Sequence, residues 1–178
     1  MVVVHYVDAD VEVRESGAEG LGVFARRSFS DGDTIRFVNV RREITDESPL
    51  RPDLDERVEH CAYPDGKVVL YGVPDRYFNH SCDPNAWERY IDGRPEIVAR
   101  RAIHAGEEIR VDYLVNNGGA SSWPCSCGAS RCRGMTSVSF FTLPREQQRE
   151  YLPLLADWFV ARHADAMAEL RHQLGVHD

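Results

Sequence analysis

The sequence predicts a mainly β fold that ends in a helical tail, an α+β arrangement. Before about residue 144, short runs rich in β-branched and aromatic residues lie between Gly, Pro or Asp, and no long helical periodicity is present. Beyond that point, apolar residues recur at spacings of three and four, as on one face of an amphipathic helix. A length of 178 residues favours one domain with a substantial core.

Six segments in the first two thirds are predicted as strands. They are residues 2–7, 11–14, 34–40, 67–72, 97–103 and 109–113. Residues 46–57 are polar and contain two prolines, so we expect a loop there with a short helical turn. Residues 25–35 and 99–109 resemble each other, and each has the pattern of a strand end, a glycine turn with an acidic residue, and a new strand. They predict two similar β-turn-β units in one fold.

The tail is expected to form an amphipathic helix that packs on the domain. Pro144 suits a first helical turn, Pro153 can restart the helix one turn later, and Gly175 is a C-cap candidate. The alternative use of the apolar face is a homodimer or partner contact. The apolar positions are Leu155, Ala156, Phe159, Val160, His163, Met167, Leu170 and Leu174.

Composition and charge limit the classes of function. A hydrophobic content of 43% and a charged content of 28% are ordinary for a globular protein, and no apolar run of 18 residues indicates a membrane span. The N-terminal residues lack a basic region and a long apolar region, so we expect an intracellular, cytoplasmic protein with reduced thiols; export as a secreted effector without a cleaved signal is the alternative. The net charge of −8 disfavours nucleic acid and favours basic partners, and the alternative is that it serves solubility alone.

Four of the five cysteines are predicted to form one metal site. Three of them lie within eight residues as C-x-C-x4-C, and structural zinc takes four tetrahedral ligands. The fourth ligand is expected from the loop at 79–85, with its cysteine preferred and His80 as the alternative. Cys61 is expected to be a buried apolar side chain. The preferred zinc ligands are Cys82, Cys125, Cys127 and Cys132.

Residues 20–25, Gly-Leu-Gly-Val-Phe-Ala, match the dinucleotide-binding pattern G-x-G-x-x-G/A. That pattern requires a helix directly after it, which presents its N-terminus to phosphate. Here a turn and a strand follow instead. We therefore interpret the segment as a Gly-rich turn between strands, where the backbone can approach a ligand closely.

Two further segments carry polar groups in an unusual setting. Residues 79–85, Asn-His-Ser-Cys-Asp-Pro-Asn, set hydrogen-bonding side chains beside a cysteine and a turn. A plain turn needs none of these, so the segment is predicted to form part of a pocket. Residues 106–113 end a predicted strand with an acid and Tyr113, which taken alone is typical of a half-buried core tyrosine.

Together and in this order, four blocks resemble a SET-domain protein lysine methyltransferase with a cysteine-rich post-SET segment. The blocks are residues 20–25, 76–85, 106–113 and 125–134, and the resemblance covers about residues 8 to 134. It implies a β-clip fold of small sheets in which the segment around 79–85 forms a pseudoknot with the chain near 108–113. It also implies a SET domain at 1–115, a post-SET zinc-binding segment at 116–135 and a C-terminal helical extension at 136–178.

The resemblance implies S-adenosylmethionine (SAM) on one face and a lysine that enters a narrow channel from the other. Tyr113 is the implied catalytic tyrosine, a structural Zn²⁺ closes the post-SET lid, and the proton of the lysine amine can leave to water. Val111 stands where many relatives have Phe or Tyr, a position that can influence how many methyl groups are added. The implied cofactor-binding residues are Leu21, Gly22, Val23, Arg76, Asn79, His80, Tyr113 and Trp123.

The implied substrate is a lysine on a histone or histone-like basic protein. A ribosomal or other housekeeping protein is a second substrate class. The alternative from another class is a catalytically silent SET-like module that binds a protein partner through the zinc-bound lid or the tail.

Overall fold

The computed structural model describes residues 6–17, 19–114 and 122–176. In these ranges the chain forms short strands, single helical turns and, after residue 144, three α-helices. The strands are β1 Tyr6–Val7, β2 Val11–Glu15, β3 Leu21–Ala25, β4 Thr34–Phe37, β5 Val40–Ile44, β6 Cys61–Ala62, β7 Val68–Tyr71, β8 Asn79–His80, β9 Ala86–Ile91, β10 Arg94–Ala99 and β11 Glu108–Val111. The helices are α1 Arg145–Tyr151, α2 Asp157–Arg162 and α3 Ala164–Leu174.

Three small sheets hold these strands, which confirms the mainly β prediction. Their orders are β1-β2-β3-β11-β8, β4-β10-β9 and β5-β7-β6. The main core takes buried side chains from each sheet, including Val23 from the first, Ile97 from the second and Tyr71 from the third. Because every sheet buries one face in this common core, three sheets that are each too small to be stable alone form one unit.

Several strand boundaries differ from the predicted ones. The predicted strand at 34–40 is two strands in different sheets, because Thr34–Phe37 pairs with β10 whereas Val40 pairs with β7. The predicted strand at 97–103 begins earlier and ends at Ala99. Residues 2–5 of the first predicted strand lie outside the described residues. The predicted helical turn in the 46–57 loop is present at Pro52–Leu54.

The interpretation of residues 20–25 as a turn is wrong for most of the segment. Gly20 has a positive φ of 52°, but Leu21–Ala25 forms a strand between β2 and β11. A Cβ atom at Gly22 would collide with the carboxylate of Glu108 and lie 3.2 Å from the amide nitrogen of Asn79. The glycine therefore allows close approach of two side chains to a strand, where the pattern had suggested a backbone turn.

The two similar segments at 25–35 and 99–109 pair with each other. Phe29 and Ile103 form an antiparallel bridge, the N–H of Gly32 donates to the carbonyl of Ala99 at 2.9 Å, and the N–H of Gly106 donates to the carbonyl of Ala25 at 2.7 Å. The sequence similarity thus reflects two matching β-turn-β units, as predicted, and the structure adds that they pair with each other.

The tail differs from the single predicted helix. His163, at φ −115° and ψ 30°, separates α2 from α3, so the apolar stripe is divided between two helices. Gly175 ends α3 in the left-handed region, as predicted. Met167 and Leu170 pack with Trp87 and Leu114 in a second core, so the tail covers the domain. No helix in the described ranges is long and apolar enough to cross a bilayer.

A parallel pair joins two segments that are distant in sequence. β8 pairs with β11, with Asn79 opposite Arg110 and His80 opposite Val111. The buried side chain of Asn85 extends this contact, because it accepts from the N–H of Arg110 at 2.8 Å and donates to the carbonyl of Glu108 at 2.8 Å. The predicted contact between residues 79–85 and 108–113 is therefore present.

Replacing Asn85 with alanine should lower the free energy of unfolding by about 2 kcal/mol, since it removes the side-chain partner of the Arg110 N–H and of the Glu108 carbonyl. Urea denaturation followed by circular dichroism measures this difference. Gln173→Ala, on the exposed face of the tail, is the control and should change stability by less than about 0.5 kcal/mol. Equal stability of Asn85→Ala and the wild type would contradict the assigned role.

Candidate active site and metal centre

Four thiol groups converge next to β8. The sulfur atoms of the four cysteines all lie within 4.8 Å of one another, and Cys82 Sγ is 3.8 Å from Cys125 Sγ. A tetrahedral zinc with Zn–S bonds of about 2.3 Å needs sulfurs separated by about 3.8 Å. The donor set and its spacing therefore fit zinc. The converging residues are the predicted Cys82, Cys125, Cys127 and Cys132.

The surroundings of the cluster suit thiolate ligands. The N–H of Cys82 donates to Cys127 Sγ and the N–H of Arg133 donates to Cys82 Sγ, each at 3.4 Å. Such donors stabilise negative charge on sulfur. Cys61 lies outside the cluster and is only partly buried, which differs from the buried side chain expected. Its partial burial raises the pKa of its thiol to about 11. His80 Nε2 lies 3.3 Å from Cys82 Sγ, but His80 is not one of the four converging ligands.

The β8–β11 pair carries the chain from the metal cluster to Tyr113. Cys82 follows β8, and Tyr113 follows β11 after one intervening residue. The phenol of Tyr113 donates to the carbonyl of Phe78 at 2.7 Å, and its ring packs 5.1 Å from the ring of His80. Burial raises the pKa of Tyr113 above its usual value, so the phenol is a neutral hydrogen-bond donor at neutral pH.

His80 is held as a neutral ring between Tyr113 and the cysteines. Its Nδ1 accepts from the N–H of Tyr113 at 3.3 Å, which leaves the ring proton on Nε2, toward Cys82. Burial lowers the pKa of His80 to about 4; the positive charge of Arg133 acts in the same direction and the negative charge of Asp112 acts against it.

A buried ionic network that the sequence did not reveal joins the site to the tail. Asp112 has no exposed side-chain surface and accepts two hydrogen bonds from the guanidinium of Arg133, at 2.6 and 2.7 Å. The hydroxyl of the buried Tyr151, in α1, donates to the same carboxylate at 2.6 Å. Because Asp112 precedes Tyr113 and Arg133 follows Cys132, one carboxylate fixes the cysteine segment, the tail and the site together.

A cleft of about 1110 Å³ opens beside these residues. It lies between the β2–β3 turn, β8 and the cysteine segment, and its volume is sufficient for a nucleoside-sized ligand. Asn79 donates to the carbonyl of Leu21 at 3.1 Å, which ties two of its walls together. The predicted residues that line the cleft are Leu21, Arg76, Asn79, His80, Tyr113 and Trp123.

Two of the predicted cofactor residues lie elsewhere. Gly22 and Val23 are inside β3 and do not line the cleft, and Val23 is fully buried in the main core. Their neighbour Leu21 brings the strand to the cleft wall. Gly22 affects the cleft indirectly, because its lack of a side chain leaves space for the side chains of Asn79 and Glu108.

A second, smaller and narrow cavity of about 70 Å³ adjoins the cleft. The residues that line both are Glu59, His60, Arg76, Tyr113 and Trp123. Its wall includes Tyr71, Phe78 and Glu88, which the sequence did not indicate. These residues lie on β7, before β8 and on β9, so only the folded chain brings them together. The site thus has a wide and a narrow compartment, and Tyr113 lines both of them.

The profile of the SET domain family matches residues 20–114, which is more than half of the chain. The protein therefore belongs to the SET-domain family. The cysteine cluster also has the composition and position of the post-SET zinc segment that the resemblance implied.

The human protein Histone-lysine N-methyltransferase 2B is 34% identical over 137 residues, which are 69% of this chain and 5% of the relative. A Debaryomyces hansenii protein, Histone-lysine N-methyltransferase, H3 lysine-36 specific, is 32% identical over 139 residues, which are 70% of this chain and 19% of the relative. The chain thus spans a fifth or less of the length of either relative. One solved Plasmodium falciparum structure aligns with 59% of this chain and 93% of its own, at a TM-score of 0.46 and 21% identity.

Elemental analysis of the purified protein should find one zinc ion per chain, since four thiolates complete one tetrahedral site. Cys127→Ser should lose most of this zinc and become more susceptible to proteolysis near residues 122–135. Cys61→Ser is the matched control and should keep the zinc, because Cys61 lies outside the cluster. Zinc-free wild-type protein with an intact fold, or equal zinc in both variants, would refute the metal site.

Proposed function

We propose that the protein transfers a methyl group from SAM to the ε-amine of a lysine in a basic protein. The observation that carries this proposal is the meeting of a wide and a narrow compartment at Tyr113. Family membership supports it, because the relatives are named histone-lysine N-methyltransferases.

The wide cleft suits SAM. Asn79 and His80 offer polar groups, and Trp123 offers an aromatic face for a flat ring such as adenine. When bound, SAM supplies an activated methyl group on a positively charged sulfur. Arg76 lines the cleft and makes a hydrogen bond to the phenol of Tyr77 at 3.0 Å, so it is well placed to brace this wall.

The narrow cavity suits the lysine. Direct displacement requires that donor and acceptor atoms be aligned, and a tight cavity reduces the freedom of the amine. The amine must also be neutral, although a free lysine has a pKa of about 10.4. Desolvation in the cavity and the nearby positive sulfur both lower that pKa. The Tyr113 hydroxyl and the Phe78 carbonyl lie next to each other, where they can hold the lysine amine in line with the methyl group.

The zinc has a structural part in this proposal. Four cysteine ligands leave no open position for substrate, which is typical of structural zinc. The metal would hold the cysteine segment, the proposed post-SET region at 116–135, against the SET domain proposed at 1–115. Residues 115–121 lie outside the described part of the chain. The proposed helical extension at 136–178 joins the unit through Tyr151.

The substrate class follows from charge and from the relatives. The net charge of −8 attracts basic proteins, and histones or histone-like proteins are the first candidates. A ribosomal or other housekeeping protein is the second. Val111 lines the narrow cavity, so its size bears on how many methyl groups the amine can carry. An intracellular location and a homodimer through the tail stay predictions, although the tail's apolar face already packs on its own domain.

The second candidate function is a catalytically silent module that binds a protein partner. It is disfavoured by the combination of Tyr113, Asn79 and His80 around an open cleft. Calorimetry with SAM, followed by transfer of a labelled methyl group to a panel of histones and ribosomal proteins, separates the two functions. Binding and transfer support the enzyme, whereas the absence of both supports the module.

Tyr113→Phe should keep SAM affinity within about threefold and lower the rate of methyl transfer by about 100-fold, because it removes a single oriented hydroxyl from the reacting centre. Single-turnover transfer of labelled methyl groups measures the rate, and calorimetry measures the affinity. Tyr6→Phe is the matched control. The Tyr6 phenol donates to the Asp8 carboxylate at 2.7 Å, and neither residue lines either compartment. Undiminished transfer by Tyr113→Phe would remove Tyr113 from the catalytic role.

A further inference from the structure

The narrow cavity contains a buried carboxylate that the proposed reaction has not yet used. Glu88, in β9, is 9% exposed and lines the cavity together with Tyr71 and Tyr113. The hydroxyl of Tyr71 donates to Glu88 Oε1 at 2.6 Å, which orients the carboxyl group. The cavity accepting the lysine therefore offers an acid group in its wall.

A carboxylate at the position of Glu88 can stabilise the charged lysine amine as it enters the cavity. In solution the lysine is an ammonium, and bringing it alone into a dry cavity costs several kcal/mol. A carboxylate in the wall offsets this cost. The same charge reaches the Tyr113 hydroxyl: burial raises the pKa of Tyr113 most, and Glu19, Glu108 and Glu88 add to the increase. Because Glu88 and Tyr113 line the same cavity, an amine that enters it meets both side chains.

We propose that Glu88 binds the incoming ammonium and then accepts its proton. One N–H bond breaks and one O–H bond forms, and the electron pair stays on nitrogen as the nucleophile. The products are a neutral amine and a neutral carboxylic acid, and desolvation on entering the cavity favours these over two separate charges. This inference rests on the proposed methyl transfer and replaces water with Glu88 as the first proton acceptor.

The charges balance through the rest of the cycle. The amine nitrogen forms a bond to the methyl carbon as the bond between that carbon and sulfur breaks, and sulfur keeps the electron pair. The methylated nitrogen then carries the positive charge. Glu88 returns its proton to water once the product has left the cavity, which restores the carboxylate for the next ammonium.

Glu88→Gln tests the inference, because glutamine keeps an oxygen for the Tyr71 hydroxyl but has neither charge nor basicity. Two peptides are compared, both copied from the protein that the wild type methylates. One carries the target lysine, and the other carries aminoethylcysteine there, whose sulfur makes the amine less basic. For the lysine peptide kcat/KM should fall by about 100-fold, the typical contribution of a general base. For the aminoethylcysteine peptide the fall in kcat/KM should be about tenfold smaller, because its less basic amine loses its proton more readily without Glu88.

Glu96→Gln is the matched control, because Glu96 is buried on the neighbouring strand β10, where it pairs with Arg89 outside both compartments. This variant should leave the ratio of kcat/KM for the two peptides at the wild-type value. SAM affinity and thermal unfolding report whether Glu88→Gln folds. If Glu88→Gln does not fold, Glu88→Asp replaces it in the test. Its carboxylate is one methylene further from the amine, so methyl transfer should slow more for the lysine peptide than for the aminoethylcysteine peptide.

Equal losses for the two peptides, or no loss, would overturn the role of Glu88 and leave the proposed methyl transfer intact. Absence of transfer by the wild type on every protein of the panel would instead remove the proposed function itself. The two failures are therefore distinguishable.

Discussion

The parallel pairing of Asn79–His80 with Glu108–Val111 is the contact on which the site depends. It joins two segments about thirty positions apart, one of which leads to Cys82 and the other to Tyr113. Asn85 supports the pair with hydrogen bonds to the backbone on either side of Ile109. Because parallel pairs of this length have few hydrogen bonds of their own, the surrounding core and the Asn85 side chain must hold the register.

Asp112 extends this constraint from the strands to the rest of the chain. Its carboxylate receives the guanidinium of Arg133 and the hydroxyl of Tyr151, so the cysteine segment and α1 meet the residue next to Tyr113. A buried charge pair contributes little net stability, but removing one partner typically costs about 3–5 kcal/mol. The network therefore favours one relative position of the cysteine segment, α1 and Asp112. Because Tyr113 follows Asp112 directly, the position of Tyr113 is coupled to that of the cysteine segment.

Local chemistry was sufficient to predict part of this arrangement. The C-x-C-x4-C spacing and the cysteine in the 79–85 loop indicated the metal cluster, and Gly175 marked the end of the tail. Contacts between distant residues were not predictable, because the partners Asp112 and Tyr151 are 39 positions apart and neither is unusual locally. Glu88 had no signal in the sequence, because the strand that carries it, β9, was not predicted either. The missed β9–β10 hairpin did have one, since Asp92–Gly93 is a typical two-residue turn with both φ angles positive.

In the proposed reaction, the methyl donor and the lysine acceptor reach Tyr113 from two different compartments. A crystal structure of the protein grown with SAM tests it most directly. We expect the nucleoside in the cleft against His80 and Trp123, with the sulfur-bound methyl group directed past the Tyr113 ring into the narrow cavity. SAM bound on another surface, or an empty cleft at saturating SAM in well-folded protein, would contradict it.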